Sequence, residues 1–475
     1  MRGGAGGDGG GNPDCNMKRL LVIGGGLAGL SAAWEAKRAG ATVRLLEIAP
    51  QIGGVIQSWR ENGYLTEAGP NTLLVNDANL ISLLHELGLE NEIVEAAPAA
   101  RERFVVREGK LVPVPMSPGQ FLASSLFSVT AKLRMLGEPL AKRRPDDAPG
   151  EESLADFARR RLGAEAFTYG LEPFVAGVFA GDPDKLAAQY AFPKLPEMEA
   201  KHGSLARGAW SAMRAKKSAV TRRLISFHDG MAAIPRALAA ALGDAIESAA
   251  ELTALEKNPA GEWLAGWTNP SGAKRENFDG VVVAAPAYAL AKLPLPATLA
   301  AQLKLLAGIE YPPVTAVLLG YPRHGVGHPL DGFGALVPRV EKFSILGVLF
   351  SSTLFPGRAP TGQVLLTVFV GGARQPELAG LPDDELTAKV TADLAKLLGV
   401  PAPPTYRRIV RWPRAIPQYN LGHGAMLGAI DAAERAWPGL ALAGSYRGGV
   451  SVPQCLATGR AAGRRALNLS PNAAE

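Results

Sequence analysis

Cysteine and histidine are scarce in this sequence. Its 475 residues include two cysteines, Cys15 and Cys455, and six histidines. Two cysteines form no disulfide framework, and the histidines lack the spacing of metal ligands. This excludes a disulfide-rich secreted fold and argues against a metal site. We therefore expect a protein of the reducing cytoplasm that holds no metal.

Long hydrophobic runs are also missing. The longest uncharged run, 20–34, is too short to span a membrane and is interrupted by glycines. Residues 1–16 are mostly glycine and contain no apolar segment. They do not read as a secretory signal, and we expect them to form a disordered tail. The pattern predicts no transmembrane helix.

Acidic residues are the minority among the charged ones, since 50 Lys and Arg outnumber 44 Asp and Glu. A positive net charge suits an anionic substrate, an anionic membrane surface or nucleic acid. Residues 201–223 contain seven Lys or Arg and no Asp or Glu, with Leu205, Trp210 and Met213 at helical spacing. We expect a basic amphipathic helix here, either a solvated face or a membrane-surface element. No nucleic-acid motif accompanies it, so we expect no nucleic-acid partner.

The most informative stretch is 18–47, which reads as a strand, a glycine turn, a helix and a second strand. Gly24, Gly26 and Gly29 follow the first strand directly. The first glycine permits a tight turn, the second lets the backbone approach a pyrophosphate, and the third lets the helix pack on the strand. Glu47 ends the second strand, where a carboxylate accepts hydrogen bonds from ribose hydroxyls. The unit predicts a dinucleotide site.

A second glycine element follows this unit. Gly53 and Gly54 lie a few residues beyond the ribose acid, and a further glycine turn occupies 67–70. A nicotinamide cofactor does not need this element, whereas FAD, held extended across its domain, does. An apolar strand ending in Ala-Ala-Pro at 278–286 and a closing strand, glycine turn and helix at 440–467 add further pieces. We therefore expect FAD.

The order of these elements predicts an α/β fold with three regions. A Rossmann-like FAD-binding domain is assembled from discontinuous segments, a mixed sheet forms a substrate-binding domain, and an α-helical domain is inserted. The expected FAD-binding domain is 17–100, 224–287 and 405–475, the substrate-binding domain 101–116 and 288–404, and the helical insert 117–223, with 1–16 as the tail.

Several short motifs outside the first glycine turn form a distinctive set. They are GVFAGDP at 177–183, FPKL at 192–195 with Glu199, HGSL at 202–205, VGGAR at 370–374, RWP at 411–413, IPQY at 416–419 and GVSV at 449–452. Together they closely resemble the oxygen-dependent protoporphyrinogen oxidase family, within the flavin amine oxidase superfamily. The resemblance covers almost everything after Met17.

This resemblance implies an FAD-dependent oxidoreductase of haem biosynthesis. Family members hold FAD non-covalently and remove six electrons from protoporphyrinogen IX, using molecular oxygen and giving protoporphyrin IX and hydrogen peroxide. No catalytic side chain is implied, because flavin N5 is the hydride acceptor.

The resemblance also implies the residues of the site. Arg103 is the propionate-binding arginine, Gly177 turns its backbone to a pyrrole, and an apolar sandwich around the macrocycle is formed by Leu336, Val348 and Phe369. The implied cofactor-binding residues are Gly24, Gly25, Gly26, Leu27, Ala28, Gly29, Glu47, Gly53, Gly54, Val55, Gly69, Pro70, Asn71, Thr72, Leu252, Ser445, Val450, Ser451 and Val452.

Departures from the family pattern keep other hypotheses open. Pro453 and Gln454 stand where the family commonly has Asn-Asp, Gly449 is an additional glycine, and Gln51 replaces a frequent arginine. Coproporphyrinogen III oxidation to coproporphyrin III is the nearest alternative, followed by amine or carotenoid oxidation. An inactive flavin-fold binding protein is the alternative from a different class. A homodimer and peripheral association with an anionic membrane, at the inner face of the cell membrane, are the remaining partner hypotheses.

Overall fold

Two large β-sheets, three smaller sheets and a group of short helices make up the described part of the protein. The computed structural model describes residues 17–145, 147–214, 222–400 and 403–469. The predicted tail, 1–16, and part of the predicted basic helix, 215–221, lie outside the described residues.

The strands, in chain order, are β1 (Arg19–Ile23), β2 (Thr42–Glu47), β3 (Ser58–Glu61), β4 (Tyr64–Glu67), β5 (Leu73–Val75), β6 (Ile93–Glu95), β7 (Phe104–Arg107), β8 (Lys110–Pro113), β9 (Arg223–Phe227), β10 (Ile246–Ser248), β11 (Glu251–Lys257), β12 (Trp263–Asn269), β13 (Gly272–Phe278), β14 (Gly280–Val283), β15 (Val314–Pro322), β16 (Gly334–Leu336), β17 (Ile345–Leu349), β18 (Gln363–Gly371), β19 (Tyr406–Trp412) and β20 (Leu440–Leu442).

The helices are α1 (Leu27–Arg38), α2 (Ala78–Glu86), α3 (Pro118–Ala123), α4 (Val129–Leu136), α5 (Leu154–Leu162), α6 (Ala164–Ala166), α7 (Glu172–Phe179), α8 (Ala188–Ala191), α9 (Lys194–His202), α10 (Leu205–Arg214), α11 (Ala233–Leu242), α12 (Ala287–Leu290), α13 (Ala297–Leu303), α14 (Ser351–Leu354), α15 (Asp383–Leu398), α16 (His423–Ala436), α17 (Ser445–Gly448) and α18 (Val452–Ala466).

A five-stranded parallel sheet, in the order β10-β2-β1-β14-β20, forms the first layer. Its strands come from widely separated parts of the chain. The central strand β1 contains Leu20, Leu21 and Val22, which are fully buried because both faces of the sheet are covered. The predicted α/β class, with a discontinuous parallel sheet, is confirmed.

Helices α1 and α18 cover one face of this sheet and pack closely on each other. A Cβ atom at Gly459 would overlap the backbone of Ala28, and one at Gly463 would overlap the backbone of Ala32. The two helices can approach this closely because glycine faces the partner backbone at both points. The opposite face carries the antiparallel sheet β11-β12-β13 and its core tryptophans.

A seven-stranded sheet in the order β19-β15-β18-β17-β16-β7-β8 forms the second layer. It is mixed, because β16 pairs with β7 in parallel and the other neighbours are antiparallel. Helix α15 packs on one face. We assigned 405–475 to the FAD-binding domain, but β19 pairs with β15 over Tyr406–Trp412, and this strand therefore belongs to the seven-stranded sheet.

The helices α3 to α10 form the insert, which follows β8 and precedes β9 in the sequence. The predicted continuous helix over 201–223 is wrong in its bounds. Helix α9 ends where Gly203 adopts a left-handed conformation (φ 70°), α10 stops at Arg214 within the described chain, and Arg223 begins β9. Ser204 then accepts a hydrogen bond from the Arg207 N–H at 3.2 Å, which favours a new helix start over continuation. None of the described helices is both long and apolar enough to cross a membrane.

Candidate active site

The first glycine turn connects β1 to α1 as the sequence predicts. Gly24 has φ +107°, a conformation that L side chains rarely adopt, and a Cβ atom at Gly29 would overlap the carbonyl oxygen of Gly24. Beside Gly26 the described residues leave open space, since nothing lies within 4 Å of a Cβ built there. The turn therefore presents bare backbone at the second glycine and a close helix–strand contact at the third.

Helix α1 begins at this turn with an N-terminus that is free to bind an anion. Gly26 occupies the cap position and supplies no side-chain hydrogen bond, and the first turn, as described, carries no acidic residue. The N–H groups of the first turn have no intrahelical acceptors, and the helix dipole places partial positive charge there. These groups suit the oxygens of a pyrophosphate.

Glu47 lies at the carboxyl end of β2, next to the glycine turn. Its Oε2 accepts a hydrogen bond from the Gly25 N–H at 2.6 Å, and its Oε1 accepts one from the Ala49 N–H at 2.8 Å. The two backbone donors fix the carboxylate beside the position where the turn opens. Leu252 lies nearby in the chain path, because the Ala250 N–H donates to the Glu47 carbonyl at 2.9 Å.

The second glycine element lies against the first. The Gly53 N–H donates to the Gly25 carbonyl at 2.8 Å, and a Cβ atom at Gly54 would lie 3.4 Å from the Gly26 Cα. A Cβ atom at Gly69 would lie 2.5 Å from the Val55 carbonyl oxygen. The predicted pieces therefore line one continuous path, which continues through half-buried Pro70, Asn71 and Thr72.

The closing turn, 444–452, brings α17 and the N-terminus of α18 to the same side of the molecule as α1. Ser451 caps α18 in a capping box with Gln454, whose N–H donates to Ser451 Oγ at 3.4 Å and whose Oε1 accepts from the Ser451 N–H at 3.2 Å. Pro453 stands in the first turn of the helix, where its missing N–H removes no helical hydrogen bond. Pro453 and Gln454 are thus compatible with the turn and its helix start.

These features fit an extended FAD. The open backbone at Gly26, the uncapped start of α1 and the fixed Glu47 carboxylate match the needs of a pyrophosphate and a ribose. Ser445, Val450, Ser451 and Val452, which were predicted to approach the flavin ring, all lie in the closing turn or at the start of α18.

The substrate residues lie on one face of the seven-stranded sheet, which we call the α7 face because α7 packs there. Gly177 on α7 meets Leu336 on β16, since a Cβ atom at Gly177 would lie 2.6 Å from Leu336 Cδ2. Phe369 on β18 is half-buried on this face. Arg103 precedes β7 and alternates with Phe104, which points to the opposite face, so Arg103 also belongs to the α7 face.

Val348 does not join this group. It is buried in the core on the opposite face with α15, whereas its neighbour Leu346 packs on the α7 face against Ala176 and beside Phe369. The cause is an irregularity in the pairing of β17 with β18, between Ile345 and Gly347. An extra residue in a strand shifts the alternation of its side chains. Leu346, and not Val348, therefore lies on the α7 face, where it is 2% exposed.

Charge on the α7 face is unevenly distributed. Arg107 donates to Glu165 at 2.6 Å and lies over the Tyr169 ring at 4.6 Å. Burial opposes ionisation of Glu165, but hydrogen bonds from Ser128 and Arg107 lower its pKa below the ordinary value. Arg103 is exposed and lies 5.4 Å from the Phe333 ring centre, and within the described chain it forms no ion pair. One arginine at this face is therefore free for an anionic ligand.

Sequence reasoning missed three residues that are buried around α7 and the closing turn. Leu346 was hidden by the strand irregularity. Gln418 and Tyr419 belong to the IPQY motif, to which we gave no role, yet both are almost fully buried between α7 and the closing turn. The only signal for them was the motif itself, because their partners are distant in the chain.

The parallel sheet, the glycine turn and the second glycine element define an FAD-binding oxidoreductase. The model of the family "Flavin containing amine oxidoreductase" matches residues 27–467, and the chain belongs to this family. The predictions of FAD, of an FAD-dependent oxidoreductase and of the superfamily are confirmed.

Named relatives cover nearly the whole chain. Protoporphyrinogen oxidase 2, chloroplastic/mitochondrial, of Arabidopsis thaliana is 33% identical over 93% of this chain and 92% of its own length. Coproporphyrinogen III oxidase of Bacillus subtilis (strain 168) is 29% identical over 95% of this chain and 98% of its own. A crystal structure from Exiguobacterium sp. 255-15 shares the fold, with a TM-score of 0.77, 24% identity and coverage of 94% and 97% of the two chains.

Proposed function

We propose that this protein oxidises protoporphyrinogen IX to protoporphyrin IX in haem biosynthesis, with molecular oxygen as the electron acceptor and hydrogen peroxide as the second product. Six electrons leave the substrate. The proposal is supported by relatives named as porphyrinogen oxidases and, on the chain itself, by one observation: a free arginine, Arg103, beside a half-buried apolar face.

The residues of the α7 face suit a flat apolar ring with carboxylate side chains. Leu336 and Phe369 offer apolar contacts from the sheet, and Leu336 packs directly against Gly177 of α7. The Arg103 guanidinium would bind a propionate through two parallel hydrogen bonds and so fix the orientation of the ring. FAD, when bound, supplies the redox chemistry, with N5 as hydride acceptor.

The number of free cations favours protoporphyrinogen over coproporphyrinogen. Coproporphyrinogen carries more propionates, so it needs more cationic partners around the ring. Of the two arginines that the β7 segment places on the α7 face, Arg107 is paired with Glu165 and only Arg103 is left without an ion pair in the described chain. We infer that this site binds the substrate with the fewer carboxylates.

A two-substrate assay tests this choice. Purified protein with FAD is mixed with each reduced porphyrinogen in air, and the porphyrin fluorescence and peroxide are followed, with boiled protein as the control for autoxidation. Faster turnover of protoporphyrinogen supports the proposal, whereas faster turnover of coproporphyrinogen contradicts it. A colourless protein that takes up no FAD would instead favour a binding protein without activity.

We further propose that the helical insert binds the surface of an anionic membrane, at the inner face of the cell membrane. The segment of α3 and α4 exposes many large apolar side chains, and Leu140 just beyond it is 87% exposed. On α10, Trp210 and Met213 are exposed and Arg214 lies 3.6 Å from the Trp210 ring centre. Apolar side chains next to arginines match the requirements of an interfacial site.

Vesicle flotation tests this second proposal. We expect the protein to float with anionic vesicles at low salt, and to float less as salt rises. Leu136→Glu together with Leu140→Glu should abolish flotation, whereas Leu305→Glu, an exposed leucine outside the insert, should not. Equal flotation with neutral vesicles, or no flotation at low salt, contradicts the proposal.

A further inference from the structure

Gln418 and Tyr419 are consecutive buried residues that connect the two halves of the proposed site. They are 2% and 3% exposed, and they lie in the segment between β19 and α16. The Gln418 N–H donates to the Glu310 carbonyl at 2.9 Å, and the Tyr419 carbonyl accepts from the Ala187 N–H at 2.8 Å. The backbone of this pair is thus held from both sides.

The side chain of Gln418 holds the C-terminal end of α7. Its Nε2 donates to the Phe179 carbonyl at 2.9 Å, which satisfies one of the carbonyls left free where the helix stops. A Cβ atom at Gly181 would overlap the Gln418 side-chain oxygen, so glycine at 181 makes room for this contact. The position of Gln418 is therefore coupled to the helix that carries Gly177.

The side chain of Tyr419 holds the closing turn. Its hydroxyl donates to the Ser445 carbonyl and accepts a hydrogen bond from the Gly449 N–H at 2.9 Å. These two partners flank the single-turn helix α17, so one hydroxyl fixes both of its ends. The Tyr419 ring also stacks on His423, with ring centres 4.4 Å apart.

The hydroxyl keeps its proton at physiological pH. Burial raises the pKa of Tyr419 well above its ordinary value, because a buried phenolate would lose its hydration. The donor to Ser445 is therefore present at neutral pH.

We propose that Gln418 and Tyr419 are positioning residues that set the distance between the porphyrinogen on the α7 face and the flavin ring at the closing turn. Gln418 binds α7 and Tyr419 binds the closing turn. The two residues are adjacent, so their Cα atoms are about 3.8 Å apart across a trans peptide. Hydride transfer depends steeply on the separation of donor and acceptor, so a rigid link between the two sites promotes the reaction. This inference rests on the proposed function.

The first test removes the Tyr419 hydroxyl. We expect Tyr419→Phe to retain FAD, to shift the visible absorption and the reduction potential of the bound flavin, and to slow anaerobic flavin reduction by porphyrinogen about tenfold with KM little changed. Tyr321→Phe is the matched control, because Tyr321 is a buried tyrosine on the opposite face of the seven-stranded sheet.

The second test loosens α7. We expect Gln418→Met, which keeps the volume and loses the donor, to raise KM roughly fivefold while the flavin spectrum stays that of the wild type. Gly181→Ala displaces the Gln418 side chain from the other side and should give the same result. Tyr419→Phe should thus change the flavin and its reduction rate, whereas Gln418→Met should change KM. A purely structural role would not separate the two effects in this way.

Several outcomes would overturn the inference. They are a Tyr419→Phe protein with the wild-type spectrum, potential and reduction rate, a Tyr419→Phe protein that takes up no FAD, or Gln418→Met and Gly181→Ala proteins that change only the thermal midpoint. If the wild type oxidises neither porphyrinogen, the proposed function fails. The flavin spectrum and potential of Tyr419→Phe would still decide whether Tyr419 positions the cofactor side.

Discussion

At the scale of single residues, the α7 face separates charge that serves the fold from charge that is free. Arg374 is buried, donates to Glu172 at 3.2 Å and also to the Val337 carbonyl, so it binds the sheet to α7. Arg107 is held by Glu165 in the same way. Arg103, which has no such partner in the described chain, can exchange water for a carboxylate at low cost.

Removing this free charge should weaken substrate binding without affecting the cofactor. We expect Arg103→Ala to raise KM about tenfold at unchanged FAD content, because a charge-assisted hydrogen bond is lost. The KM of Arg103→Lys should lie between those of the wild type and Arg103→Ala, since lysine keeps the charge but not the planar guanidinium. Steady-state kinetics and the flavin absorbance measure both quantities, and exposed Lys110 in the same hairpin supplies the control Lys110→Ala. A flavin-free Arg103→Ala protein would contradict the assignment.

The two faces of the second sheet can be told apart by a pair of substitutions. Val348→Ala should lower the free energy of unfolding by about 2 kcal/mol and leave KM unchanged, because Val348 packs in the core with α15. Leu336→Ala should raise KM with a smaller loss of stability, because Leu336 is only half-buried on the α7 face. Denaturant unfolding and kinetics on the same preparations separate the two effects. A raised KM in Val348→Ala would contradict this prediction and would indicate that Val348 contacts the substrate.

At the scale of elements, the contact between α1 and α18 joins the two ends of the cofactor domain. Beyond the glycine contacts, Glu35 on α1 accepts from Arg460 Nε at 2.7 Å and from Arg464 Nε at 2.8 Å on α18. Ser31 Oγ also donates to the Leu456 carbonyl at 2.7 Å. The helix that presents its N-terminus to the pyrophosphate is therefore held in place by the last helix of the described chain.

A methyl group between these helices should disturb the FAD site from a distance. We expect Gly459→Ala to lower both the thermal midpoint and the affinity for FAD, because its Cβ would overlap backbone atoms of Ala28, which cannot move as a flexible side chain could. Gly428→Ala on α16 is the control. Nothing in the described chain lies within 4 Å of its Cβ, so it should stabilise the protein by up to about 1 kcal/mol. Titration with FAD measures the affinity of both variants. An unchanged affinity in Gly459→Ala would refute the link between the α1–α18 contact and the FAD site.

At the scale of the whole molecule, buried carboxylates determine how the protein responds to acid. Burial raises the pKa of Glu35, but the hydrogen bonds from Arg460 and Arg464 outweigh it and bring the pKa below the ordinary 4.5. The same net direction holds for Glu138, Glu165, Glu199 and Glu247. Burial dominates and raises the pKa of Glu67 and Asp393.

The directions of these shifts predict acid lability. A group with a lowered pKa stabilises the fold above 4.5, and its contribution is lost as pH falls through the native pKa. The raised groups act oppositely, since protonation favours the folded state between their unfolded and native values. We expect the thermal midpoint to change little from pH 7 to 5 and to fall below about 4.5, as measured by scanning fluorimetry. Glu35→Gln should reduce that slope, and a midpoint that rises below pH 4.5 would contradict the prediction.

The parts of the fold that depend on local sterics could be predicted from the sequence. The turn could be predicted from Gly24, Gly26 and Gly29, because glycine alone fits its tight backbone and close contacts. The apolar run of β1 indicates a strand that is covered on both faces. The exchange of Val348 for Leu346 could not be predicted, because the irregularity arises from pairing with β18. The contacts of Tyr419 depend on residues 26 and 30 positions away, for which no periodic pattern exists.

The contact between α1 and α18 has a consequence for the order of events during synthesis. Residues 27–38 leave the ribosome long before residues 452–466, on the order of a minute earlier at ordinary elongation rates. For most of that interval β1 lacks its neighbour β14, and α1 lacks the helix that packs against it. The glycine turn is thus translated early and gains its packing partner α18 late, so we expect FAD to bind after the closing helix has been translated.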